Sequence, residues 1–273
     1  MLDCEVVLTQ SGAFAMRDRV SGEVMHPIVG PRSEVESLYL EPSRLRERLL
    51  TPGAAPLVLF DVGLGAASNA IFALKARKAL AEPARTLEIV SFDRSLAALG
   101  HALEPEHATA FGIDGEMAHG ATAILRDGTY RTAHILWRLR LGELPETLSS
   151  EPPARAEIVF WDPFSPRANP VLWTCAAFRA LHERCHESVS VHTYSGATSV
   201  RAALLLAGFA VGEGDPSAAG KRTTCAARDV RNLRRPLGRR WLERLTRSSA
   251  PLPLDAPPSA LELIRELPQF HGD

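Results

Sequence analysis

Three aspartates and two unusual loops are the parts of this chain that could do chemistry. Residues 57–70 read LVLFDVGLGAASNA: an apolar run, Asp61, then Gly63 and Gly65 among small residues before a helical pattern. Glycines in such a turn let the backbone adopt positive φ and approach a ligand closely. The helix that follows offers unpaired N–H groups and a partial positive charge. Ser68 stands where G-x-G-x-x-G needs its third glycine, and no Gly-Lys-Ser/Thr follows. Neither the dinucleotide fingerprint nor a P-loop is therefore complete. Two more aspartates, Asp93 and Asp162, close the apolar runs LEIVSF and EIVFW. An acid at the end of the second strand is placed to accept the hydroxyls of a ribose. Glu143, after Leu141-Gly142, could meet an adenine amino group or be a solvated turn acid. Each aspartate could equally be a helix cap or turn former.

The second loop follows Asp162. Pro163, Pro166 and Pro170 fall within eight residues and cannot all lie in a regular helix or central strand. They make a stiff loop, and stiffness lowers the entropy lost when a ligand orders it. Phe164 and Trp173 offer flat apolar surface to a bound base or to the core.

These residues need a scaffold. The hydrophobic periodicity predicts strands Leu57–Phe60, Leu87–Phe92 and Glu157–Trp161, with helices over Ser68–Leu80, Ser95–Leu103 and Val171–Arg184. Strands alternating with helices, each strand continuously apolar, specify a doubly wound parallel sheet. Ligands of such sheets lie beyond the strand C-termini, at the switch point. That is where the glycine turn and the proline loop would face each other. Short β-like pieces are expected near Ala121–Leu125 and His134–Leu139. A further strand Ser188–Tyr194 and helix Val200–Leu206, closed by Gly208, come next. Phe209–Val211 and Arg222–Ala227 would pair as a terminal antiparallel hairpin. Ahead of the glycine turn, Glu5–Thr9 and Ala13–Arg17 flank Ser11-Gly12 as a hairpin. Ser33 would cap a helix carrying Val35, Leu38 and Tyr39. Pro42 ends that helix or starts the next, Ser43–Leu49. The expected domains are residues 1–50 as an N-terminal β/α extension, 51–229 as the sheet domain, and 230–273 as a basic, Pro-rich extension.

The composition sets outer limits. The chain has 273 residues, 45% hydrophobic and 23% charged, with net charge −1. This is ordinary globular composition, and any basic surface must be local. Cys4, Cys175, Cys185 and Cys225 are scattered without a C-x-x-C pair, so neither metal nor disulfides are expected and the chain reads as cytoplasmic. No apolar run reaches membrane-spanning length. One concentrated strip stands out: Arg228, Arg231, Arg234, Arg235, Arg239, Arg240, Arg244 and Arg247 against Asp229 and Glu243. RNA phosphate is one partner for it; a solvated face or an arm packed on acidic surface is the other reading.

Residues 162–174, DPFSPRANPVLWT, resemble the D-x-F-x-P-x-x-N-P-x-x-W-T signature of the MnmC-type tRNA methyltransferase domain. Other segments are similar in the same order. They are Ser11-Gly12, HPIVGPRSE from His26 to Glu34, DVGLGAASN from Asp61 to Asn69, AGF at Ala207–Phe209 and GKR at Gly220–Arg222. The resemblance spans about residues 8–227. The chain departs from the pattern at Asp61, where the family has Glu, at Pro27 and Pro31, and at Ala67, which replaces the third loop glycine. With alanine there, the turn is expected to avoid positive φ.

The resemblance implies a Rossmann-like class I methyltransferase, α/β with a mostly parallel sheet and a C-terminal antiparallel strand, using S-adenosyl-L-methionine. Its reaction would be N-methylation of the 5-aminomethyl group on the wobble uridine of tRNA. Cofactor contacts would fall to Asp61, Gly63, Gly65, Asn69, Asp93, Glu143 and Asp162. Asp162 and Phe164 would serve catalysis, and His26, Pro163, Lys221 and Arg222 would meet substrate. Without the flavin oxidase domain of the family's best-known members, the chain would rely on separate enzymes for its aminomethyl uridine. The alternatives are the same fold acting on another amine or a protein, and a binding module without turnover. A nicotinamide oxidoreductase is disfavoured by the incomplete glycine fingerprint.

Overall fold

The computed structural model describes residues 4–9, 11–25, 30–53, 55–149, 155–248 and 252–271. Among the described residues ten strands form two sheets. Strands β1 (Cys4–Leu8) and β2 (Phe14–Asp18) make the expected N-terminal antiparallel hairpin. The large sheet contains β3 (Leu57–Val62), β4 (Leu87–Asp93), β5 (Thr129–Arg131), β6 (Ile135–Leu141), β7 (Ala156–Trp161), β8 (Cys185–Thr193), β9 (Ala210–Pro216) and β10 (Arg222–Ala227). Its order is β5-β6-β4-β3-β7-β8-β10-β9. The five central strands, β6 to β8, are parallel, while β5 at one edge and the β10–β9 pair at the other are antiparallel. The order reverses at β3. The C-terminal ends of β3, β4 and β7 therefore meet, which is the switch point such sheets use for ligands.

Alternation along each strand divides the core between the two faces. From β3, Leu57 and Leu59 join one cluster with Ile89, Trp137 and Phe160. Phe60 and Val62 join the other with Phe92, Trp161 and Phe178. On the first face a buried polar chain crosses three strands. Trp137 Nε1 donates to Ser91 Oγ (2.9 Å), and Ser91 Oγ donates to Asp61 Oδ2 (2.8 Å).

Several local expectations need correction. Residues 121–125 are not strand but part of the helix Glu116–Asp127. Met117, Ala121 and Ile124 recur at helical spacing and are buried together, so the period is 3.6 and not 2. The helix expected to be capped by Ser33 starts earlier, at Pro31, with Gly30 at the cap position. Proline is favoured in the first turn because its missing N–H is not needed there. The helix expected over Val171–Arg184 is split into a 3-10 turn, Pro170–Trp173, and a helix, Cys175–Glu183. Thr174 between them is extended and caps the second, its Oγ1 accepting from the Ala177 N–H (3.2 Å). Strand β5 was not expected, being three residues long.

The C-terminal segment packs on the same core. Leu237, Trp241, Leu245, Ile264 and Phe270 are buried with the second cluster. The Asp255 carboxylate accepts from the N–H groups of Cys175 and Ala176 (2.8 and 2.9 Å), capping a helix distant in sequence. Pro236 bridges to Gly212 and covers the edge of β9. No disulfide joins any of the four cysteines. No described helix is long and apolar enough to cross a membrane.

Candidate active site

The glycine turn and the proline loop are in contact. A methyl group placed on Gly63 would lie 2.7 Å from the Asp162 carbonyl oxygen and 2.9 Å from Pro163 Cα. Gly63 has φ 90 and Gly65 φ 51, so glycine is required both for conformation and for close approach. The Gly63 N–H donates to the Phe92 carbonyl (2.9 Å), and the Asp162 N–H donates to the Val62 carbonyl (2.8 Å). Both loops are thereby pinned to the ends of β3 and β4.

Ala67 contradicts its expectation. It sits at φ 64, ψ 16, the left-handed conformation that costs an L-residue about 1 kcal/mol. Its methyl group is fully buried in the first core cluster, which offsets the strain. The backbone here is the glycine-like one although the side chain is alanine.

Beyond the two loops opens a cavity of about 790 Å³. Its lining includes Gly63, Gly65, Asn69, Asp93, Glu143, Asp162, Pro163, Phe164, Lys221 and Arg222, which brings together ten of the residues singled out in the sequence. Asp61 lies beneath the turn, fully buried and outside the lining. Burial pushes its carboxyl up to about 7; the Ser91 hydroxyl bond resists the shift, and the charges of Asp162 and Asp93 add to it. His26 lies outside the described residues.

Asp162 is held through both of its carboxylate oxygens. Its Oδ1 accepts from the Tyr39 hydroxyl (2.6 Å) and its Oδ2 from Asn69 Nδ2 (2.8 Å). Tyr39 comes from the π-helical turn Glu36–Leu40 of the N-terminal segment. Burial, then the neighbouring Asp162 charge, raise its phenol well above the ordinary value. Tyr39 therefore stays a proton donor to Asp162 at any working pH. The Tyr194 hydroxyl holds the other side of the loop by donating to the Pro163 carbonyl (3.0 Å). Trp173 Nε1 donates to the Phe164 carbonyl (2.9 Å), so Trp173 braces the loop from behind. Glu23 accepts from the N–H of Ser165 (2.9 Å) and also from its hydroxyl. None of Tyr39, Tyr194 and Glu23 was marked as a site residue by the sequence. A lone tyrosine on an apolar helix face reads as core, and its hydroxyl partner is 123 residues away.

Asp93 closes the cavity on the β4 side. Its Oδ2 accepts from the Gly65 N–H (2.9 Å) and its Oδ1 from the N–H groups of Arg94 and Ser95 (2.7 and 3.1 Å). Burial raises its carboxyl, and these backbone donors oppose the shift. Glu143, exposed at the rim, follows β6.

The cavity suits an adenosyl sulfonium ligand with an amino-acid tail. Acids stand at the ends of β4 and β6, and a close-approach glycine backbone lies beside them after β3. Ser68 Oγ and Asn69 Oδ1 are buried without a hydrogen-bond partner among the described residues, while both residues line the cavity. Such orphaned atoms cost free energy unless a ligand or water satisfies them.

This fold and site define an S-adenosyl-L-methionine-dependent methyltransferase. Residues 121–229 match the family model described in those words, and the cofactor is S-adenosylmethionine. Curated proteins to which the chain is similar include MnmC proteins. The chain is 29% identical over 203 residues to the tRNA 5-methylaminomethyl-2-thiouridine biosynthesis bifunctional protein MnmC of Pseudomonas putida, covering 70% of this chain and 30% of that protein. It is 29% identical over 224 residues to the protein of the same name from an Azoarcus species, covering 79% and 34%. The chain thus spans about a third of the length of these curated relatives. In fold it matches the crystal structure of MnmC2 from Aquifex aeolicus with a TM-score of 0.77 and 24% identity, over 97% of this chain and 83% of that one.

Proposed function

We propose that the chain methylates the 5-aminomethyl nitrogen of the wobble uridine of tRNA, giving the 5-methylaminomethyl group. The observation that carries this reading is the Asp162 carboxylate, fixed by Tyr39 and Asn69 at the contact between the proline loop and the glycine turn. When bound, S-adenosylmethionine supplies a methyl group activated on a sulfonium. The backbone of Gly63 and Gly65, with Asn69, would hold its amino-acid tail. Asp93 would take the ribose hydroxyls and Glu143 the adenine amino group; Asp61 would act from beneath the turn.

Amine methylation needs an uncharged nitrogen lone pair held in line, and orientation accounts for much of the rate. Asp162 would accept one N–H of the aminomethyl group and so fix where the lone pair points. As nitrogen gains the methyl group it gives up one proton, which Asp162 is placed to receive. Phe164 and Pro163 wall the pocket and exclude water. Lys221 and Arg222, exposed at the rim, would meet phosphates beside the inserted nucleotide.

The test is methyl transfer to tRNA carrying 5-aminomethyl uridine, read by mass spectrometry of the digested nucleosides. The wild-type chain should convert the nucleoside. Asp162→Ala should lose conversion while calorimetry still shows S-adenosylmethionine binding. Near-normal turnover by that variant would remove Asp162 from the mechanism, and an unchanged nucleoside with wild type would remove the substrate.

A further inference from the structure

The arginines of residues 228–248 do not act as one charge. Arg228 pairs with Glu187 (3.2 Å), Arg231 with Asp229 (2.5 Å) and Arg235 with Asp215. Arg247 pairs with Glu243 (3.6 Å). The charges of Arg228, Arg231 and Arg235 are each paired with a carboxylate, that of Arg231 at the surface. Arg234, Arg239, Arg240 and Arg244 are exposed and have no carboxylate within ion-pair distance among the described residues.

Three of these four lie on the helix Arg239–Arg247. That helix cannot turn its basic face away. Trp241 and Leu245 are buried in the core, and Trp241 stacks on Phe270 at 6.0 Å with planes 9° apart. At 1.5 Å per residue, Arg240 and Arg244 stand about 6 Å apart along the axis. The helix does not itself line the cavity but is linked to its rim through Arg201. Arg201, buried in the Thr198–Leu206 helix, feels the charge of Arg244. The same Arg201 donates to the Thr223 carbonyl (2.9 Å), one residue beyond Arg222 on the cavity rim. No apolar side chain of residues 239–247 is fully exposed, so the face lacks what a bilayer-inserting helix presents.

We propose that the exposed face of the Arg239–Arg247 helix, with Arg234, grips the ribose-phosphate backbone of RNA beside the nucleotide held in the cavity. The inference rests on the tRNA reading above and assigns it a docking surface. Contacts of this kind position the substrate without reading its sequence.

The test measures binding of a fluorescent anticodon stem-loop RNA as salt is varied, without methyl transfer. Replacing Arg239, Arg240 and Arg244 by Gln together should weaken binding. It should lower the slope of log affinity against log salt by about 2 to 3, since each lost phosphate contact removes roughly 0.7–0.9. With full-length tRNA the same variant should raise KM and leave kcat and S-adenosylmethionine affinity unchanged. Arg231→Gln, at a charge already paired, should leave the slope as in wild type. If the triple variant melts early, Arg240→Gln with Arg244→Gln should still lower the slope, by about 1.5 to 2. A wild-type slope in both variants overturns the proposal. So does RNA binding that is unaffected while binding to phosphatidylserine vesicles is lost. If wild type binds RNA through this face yet converts no aminomethyl uridine, the substrate reading fails and the docking surface stands.

Discussion

At the residue scale the site depends on a carboxylate whose two oxygens are both held. A hydrogen bond to a charged acceptor contributes about 1.5–3 kcal/mol, and Tyr39 supplies one to Asp162 from another part of the chain. Tyr39 is a positioning residue in this reading. Its ring is buried and packs on Phe160 at 5.2 Å, so Tyr39→Phe keeps the packing and removes only the hydroxyl. That variant should lower kcat by about 10- to 100-fold. KM for tRNA and calorimetric affinity for S-adenosylmethionine should stay near wild type. Loss of cofactor affinity in step with kcat would mean that Tyr39 shapes the cavity as a whole.

At the element scale the decisive feature is the contact between two loops. Gly63→Ala would place a methyl group 2.7 Å from the Asp162 carbonyl oxygen, at a φ of 90 that alanine resists. One loop must then move, so S-adenosylmethionine binding by calorimetry should be lost along with activity. Thermal stability should fall as well. A second element-level device is the cap that Asp255 supplies to the Cys175–Glu183 helix. Asp255→Ala should cost about 1 kcal/mol in urea unfolding with an unchanged m-value. Activity should survive, since the capped helix starts behind the proline loop.

At the scale of the whole molecule two fully buried groups set opposing responses to pH. Asp61 is raised from 3.8 to about 7. Between those values the unfolded chain holds fewer protons than the folded one, so this group lowers stability as pH rises. His192 is lowered from 6.5 to about 3 by burial, with the nearby Arg48 charge adding to it. Over that range the unfolded chain holds more protons, so this group raises stability as pH rises. From about pH 4 to 6.5 the two slopes cancel. Asp61→Asn should uncover the histidine, adding a slope of about 1.4 kcal/mol per pH unit relative to wild type, with stability falling toward acid. Urea unfolding at several pH values checks this. A constant difference between the two proteins across the range would show that Asp61 is ionised in the folded state.

What the linear chain determined by itself was local. Apolar strands ending in Asp61, Asp93 and Asp162, two glycines after one of them and three prolines after another were enough to place the site at the switch point of a parallel sheet. Hydrophobic period and turn chemistry act over a few residues, so they can be read without knowing what lies opposite. Residues 121–125 misled because so short an apolar stretch fits either period until its neighbours are known. Only the tertiary structure decided that Tyr39 reaches Asp162, that Asp61 lies under the turn, and which arginines are already neutralised. It also placed Ala67 in a left-handed turn whose strain a buried methyl offsets. Each of these depends on a partner far along the chain, and burial and charge pairing belong to such partners, not to a residue alone.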